Sequence, residues 1–186
     1  MDGSVCGILT VLFLVTLHYL ARQSADDELV EAAPAWIEFA RRHELRYNEL
    51  NIWGRFKGYA LRVDTEQHKS TRSKFNLTRL VFAVPALPRT VLIEPDYRFN
   101  EFPIRQEHAT PEVTALLQHP SVRERFSVAA NTYREFTIQN GHISAQRNGR
   151  VPVTVEELES FIEPAFQLAR ALDEAARSGT PTSRSG

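Results

Sequence analysis

The chain has 186 residues, 42% of them hydrophobic and 24% charged, the balance of one folded domain rather than of a disordered or fibrous chain. Its 22 basic and 23 acidic residues leave a formal charge of −1, so no global field gathers nucleic acid and no nucleic-acid partner is expected. A single cysteine, Cys6, excludes an intramolecular disulfide and leaves the redox compartment unread.

From Val5 to Ala21 no residue carries a formal charge, and Leu, Val, Ile and Phe dominate. At 1.5 Å of rise per residue such a helix covers about 26 Å, within the range of a single membrane span. Tyr19 and Arg22 stand where interfacial anchors stand. The start Met1-Asp2 provides no positive leader and Tyr19 precedes Ala21 by two, so a retained anchor is expected over a cleaved signal peptide. Residues 1–22 therefore read as a transmembrane anchor. No Lys or Arg precedes the segment, whereas Arg22, Arg41 and Arg42 follow it, which places the domain on the cytoplasmic side; Asp26, Asp27 and Glu28 offset that bias, and a periplasmic domain is the alternative.

Residues 23–33, acidic and Ala-rich, read as a helical stalk, and Pro34 suits the first turn of a helix running to about His43 with Trp36, Phe39 and Ala40 on one stripe. Between Leu45 and Ile93 the period becomes two. Expected strands are Leu45–Asn48, Asn51–Phe56, Tyr59–Thr65, Phe75–Val84 and Thr90–Glu94, with Lys57-Gly58 closing a tight hairpin. In Tyr59–Thr65, Tyr59, Leu61 and Val63 share one face and Arg62 and Asp64 the other, the alternation of a sheet with one wet face. Glu66 to Lys74 reads as a long exposed loop, Phe75–Val84 as the central strand, and Pro85 and Pro88 as its terminators.

Pro95 to Ala109 has no clear period. Thr110 caps a helix entered by Pro111, and Pro120 starts another carrying Val122 and Phe126. Strands Arg134–Gln139 and His142–Gln146 flank Asn140-Gly141, a strong hairpin signal. Thr154 and Glu157 form a capping box before a helix with Leu158, Phe161, Ile162, Ala165, Phe166, Ala169 and Leu172 on its apolar stripe, which Pro164 is expected to kink or split. From Ser178 the composition is that of a flexible tail. The expected architecture is α+β: an antiparallel meander of about six or seven strands packed by N- and C-terminal helices in residues 34–177, behind one transmembrane helix, with residues 178–186 disordered.

Chemistry-bearing patterns are few. His18, His43, His68, His108, His119 and His142 form no H-x-x-x-H pair and have no cysteine partner, so no metal site is expected. The eight glycines form no phosphate cradle and no cofactor is expected; no G-x-S-x-G elbow exists, and no catalytic residue is named. Glu156-Glu157 reads as a solvated helix face. The cations Lys69, Arg72, Lys74 and Arg79, on and just after the 66–74 loop, are the candidate contact with anionic lipid head groups.

The segment Ile52-Trp53-Gly54-Arg55-Phe56-Lys57-Gly58-Tyr59 and the final hairpin Ile138-Gln139-Asn140-Gly141-His142-Ile143, behind an N-terminal membrane segment, resemble a set of uncharacterised bacterial membrane-anchored α+β proteins. The resemblance implies the fold and the single-pass anchor, and no activity. Two functions stay open: a membrane-tethered binding or scaffolding domain meeting a protein partner through its open sheet face, and an enzyme whose site is assembled from scattered polar residues.

Overall fold

The computed structural model describes residues 26–69, 74–96, 104–148 and 150–178. The first helix, α1, spans residues 26–42. Eight strands and three more helices follow: β1 (Arg46–Asn48), β2 (Asn51–Phe56), β3 (Tyr59–Lys69), β4 (Lys74–Ala83), β5 (Leu92–Pro95), β6 (Ile104–Glu107), α2 (Pro111–Gln118), α3 (Pro120–Thr132), β7 (Glu135–Gln139), β8 (His142–Asn148) and α4 (Val155–Ser178). The strands form one sheet in the order β1-β2-β3-β4-β8-β7-β5-β6, antiparallel at every pairing.

The α+β class stands, and the sheet corrects the expected meander in two ways. It has eight strands rather than six or seven, because Ile104–Glu107 in the aperiodic stretch pairs with β5; only Ile104 and Gln106 are half-buried there, so an edge strand of four residues carries almost no period. It is also a meander only through β4. The β7–β8 hairpin then docks beside β4, and β5–β6 lies outside β7.

Two tight turns set the registers. Lys57 and Gly58 have φ of 49° and 93°, and Asn140 and Gly141 have 56° and 72°; two successive positive φ values match the right-handed twist of the flanking strands. Partners across a ladder share a face, so Ile52, Leu61, Val63, Leu80, Phe82, Phe136, Ile138, Ile143 and Ala145 line one side. All are buried, in one core with Trp36 and Phe39 of α1, Val122 and Phe126 of α3, and Leu158, Phe161, Ile162 and Leu172 of α4. The helices thus cover one face of the sheet.

The loop expected at Glu66 to Lys74 is shorter than its composition suggested, since β3 continues to Lys69 and β4 begins at Lys74. The reason lies under α1. The helix-facing side of these strand ends is polar: Asn76 and Thr78 are buried, Asn76 donates to Glu28 at 2.7 Å and Gln67 donates to Asp26 at 3.1 Å. With polar residues on both faces, alternation disappears from the sequence although the strand persists. Within the expected stalk, residues 26–33 are helical and continue without a break through Pro34 into α1, and Ala32 is fully buried.

Pro164 does not split α4, which is continuous from Val155 to Ser178. Its start follows the capping box, with the Glu157 amide donating to Thr154 Oγ1 at 3.1 Å and Glu157 Oε2 accepting the Val153 amide at 2.8 Å. Among the described residues no helix is long and apolar enough to cross a membrane; the segment expected to do so, residues 1–22, lies outside them, as does the tail beyond Ser178.

Candidate functional site

The register that buries Ile52 and Val63 turns alternate residues to the other side of the sheet. There Arg46 lies opposite Trp53, and Trp53 opposite Arg62. Arg55, two residues along β2, lies opposite Ala60. Farther across the same side come Asp64 with Arg79, Val81 with Ser144, and Ser144 with Thr137. Arg46, Arg55, Ala60 and Arg62 are exposed and Trp53 is half-buried, and no described helix packs over them.

Charge on this open face divides by position. Toward β3 and beyond, cations meet anions: Arg62 with Asp64 at 3.1 Å, Arg79 with Glu66 at 3.0 Å, and Arg105 with Glu94. At the β1–β2 end Arg46 and Arg55 have no ion-pair partner among the described residues. That end is therefore a basic corner around an indole. At the hairpin end, His68 stacks on Phe75 with ring centres 5.4 Å apart, and Phe75 remains 41% exposed.

Of the four cations singled out in sequence, Arg79 sits on this face and is bound to Glu66, which neutralises it locally. Lys69 and Lys74 are the paired last and first residues of β3 and β4. Arg72 and the side chains of Lys69 and Lys74 lie outside what the structure describes.

A second feature escaped the sequence. His43, Phe56, Lys57, Glu156, Glu159, Ser160 and Glu163 line an open groove of 420 Å³ between the end of α1, the β2–β3 turn and α4. Lys57 Nζ is 3.3 Å from Glu163 and lies over the rings of Phe56 and Phe166, at 5.0 and 4.6 Å. His43 packs its ring against Phe39 and Phe56, and its Nε2 is out of water, without a hydrogen-bond partner, 3.8 Å from Glu159. The i, i+4 spacing from Phe39 to His43 would have placed this imidazole on the apolar stripe of α1. No group of three metal-ligating side chains occurs among the described residues.

Ionisation is shifted beside the groove and on α1. Beside the groove, burial raises the Tyr59 phenol to about 12, helped by its 2.7 Å hydrogen bond to Asp173. Glu38, on the solvated side of α1, is lowered to about 2 by hydrogen bonds from Arg41 and Arg42. Both groups are held by partners of their own, so neither is poised for proton transfer near neutrality.

No family model matches the chain, and no similar curated protein or solved structure was found.

Proposed function

We propose that this chain is a membrane-tethered binding domain that engages a protein partner through the open face of its sheet. The observation that carries the reading is one-sided coverage: the described helices pack on one face, and the other presents Trp53 among exposed, partly unpaired arginines. Aromatic and arginine side chains are the types that dominate protein interfaces. The apolar, uncharged run from Val5 to Ala21 supports the tether, and the cations that follow it support a cytoplasmic domain. Lys69, Arg72 and Lys74 at the β3–β4 hairpin are the proposed contact with anionic head groups, with Arg79 a lesser participant because Glu66 already holds it.

Photo-crosslinking from the full-length chain in its native membrane tests the reading. A photoreactive residue at Ala60 or Ser144, on the open face, is expected to trap one discrete partner, whereas the same residue at Glu124 or Arg170, on exposed helix positions, is expected to trap none. Crosslinks confined to the helix positions would reject it.

The buried, unpartnered Nε2 of His43 beside Glu159 favours a second reading, an enzyme working in the groove. It requires turnover of a small molecule by the purified chain, abolished in His43→Gln.

A further inference from the structure

The cations of the open face that lack an ion-pair partner among the described residues are concentrated where the sheet carries the half-buried Trp53. Arg46, Trp53 and Arg62 form one cross-strand row over β1, β2 and β3, in which neighbouring Cβ atoms stand about 4.5–5.5 Å apart. Arg55 lies two residues from Trp53 along β2, about 7 Å away on the same face. Three arginines therefore neighbour one tryptophan on this face, and among the described residues Arg62 alone of the three has an ion-pair partner, Asp64. The corner holds two uncompensated positive charges.

We infer that the Arg46–Trp53–Arg62 row, with Arg55, is the docking patch for an acidic segment of the partner protein, an inference that rests on the proposed binding role of this face. Carboxylates suit the patch because guanidinium binds them through two parallel hydrogen bonds. In an extended segment side chains on one side recur about every 7 Å, the spacing between positions 53 and 55. A broad anionic surface such as a bilayer fits worse. Beyond the corner the same face carries Asp64, Glu66, Glu94, Glu107 and Glu135 with Arg79 and Arg105 among them, so anionic lipid laid flat on it would meet no net positive charge there. A narrow acidic segment touches the corner alone. Trp53 supplies an apolar, rigid contact at the centre of the patch.

The test uses the full-length chain in neutral-lipid nanodiscs and a fluorescent peptide of alternating Glu and Ser as the probe. Binding is read by anisotropy, and access to Trp53 by acrylamide quenching of its emission, since Trp36 is fully buried. The peptide is expected to bind, to shield Trp53 from acrylamide and to weaken with salt, while its Gln-Ser counterpart does not bind. Arg46→Gln/Arg55→Gln, two exposed residues without an ion-pair partner among the described residues, should keep the circular dichroism spectrum and lose roughly tenfold or more in affinity.

Equal binding by the double variant, or no shielding of Trp53, would overturn the inference. So would stronger binding of a single-stranded oligonucleotide than of the peptide, or binding of anionic vesicles or a concentration-dependent dimer that the double variant abolishes. The two levels separate cleanly. If crosslinking from Ala60 and Ser144 persists at wild-type yield in the double variant, the face binds but not through this corner. If the peptide binds as expected while open-face crosslinks are absent, the corner recognises acidic segments but the proposed function fails, and the docking role assigned to the corner fails with it.

Discussion

Pro164 has no amide hydrogen, and in mid-helix its ring crowds the carbonyl four residues back. The phenol of Tyr133 occupies the resulting opening: its hydroxyl donates to the Phe161 carbonyl at 2.6 Å and accepts from the Ala165 amide at 3.2 Å. These are the two groups that an undisturbed helix would pair with each other. Proline in the sequence announced a disturbance of α4, but the group that repairs it comes from the far end of α3, thirty-two positions from Ala165. Tyr133→Phe should therefore destabilise the domain by about 1–3 kcal/mol, leaving buried backbone groups unsatisfied. Urea titration checks it, and adding Pro164→Ala should recover much of the loss by letting the ladder close. An unchanged midpoint in Tyr133→Phe would show that the hydroxyl is dispensable.

Tyr59 gives the pH dependence its sign. Burial and the Asp173 hydrogen bond raise its folded-state pKa from an ordinary value of 10.0 to about 12. The associated stability is fully present below pH 10 and is lost as pH rises through about 12. Tyr133, raised by burial too, contributes in the same direction. Tyr59→Phe should lower stability at pH 7 by about 1 kcal/mol and make the decline above pH 10 shallower than in the wild type. Denaturant midpoints from pH 8 upward measure this; an unaltered slope would contradict it.

Among the elements, the end of α1 carries a strained residue where glycine is usual. The Leu45 amide donates to the Ala40 carbonyl at 2.8 Å while Glu44 adopts φ of 54°, the left-handed turn that closes many helices. Glu44→Gly should stabilise the domain by up to about 1 kcal/mol, because glycine carries no Cβ penalty there; thermal unfolding reports it as a raised Tm. The elements that could be read from the chain were those with local signals. Asn140-Gly141, Lys57-Gly58 and the Thr154–Glu157 box each specify their own geometry within four residues. β6 and the far half of β3 could not be read, since the first has too few buried positions and the second sets the half-buried Gln67, beside Asn76 of β4, against carboxylates of α1. The same limit applies to the site. The wet face of β3 was visible in the alternation of Leu61, Arg62, Val63 and Asp64, whereas placing Arg46 beside Trp53 requires the β1–β2 register.

For the whole molecule, one-sided packing decides which elements stability depends on. α1 closes the core through Trp36, whose indole donates to the Pro152 carbonyl at 2.9 Å, and its early turns reach β3 and β4 through Asp26 and Glu28. Removing residues 1–22 should leave a cooperatively folding domain, whereas removing residues 1–33 should destabilise it by exposing the polar strand ends and the site of Ala32. Circular dichroism melts of the two truncations distinguish these outcomes, and equal Tm values would show that the first turns of α1 contribute nothing.

The central claim is that the uncovered face of the sheet is occupied by a partner in the cell. With Cys6 replaced by Ser, a cysteine at Ala60 on that face and, separately, one at Glu124 on α3 can be labelled with a maleimide in permeabilised cells and again after purification. Both sites are exposed in the isolated chain. The expected result is an Ala60→Cys thiol protected in cells and reactive once purified, with Glu124→Cys reactive in both. Equal labelling of Ala60→Cys in the two settings would contradict the claim.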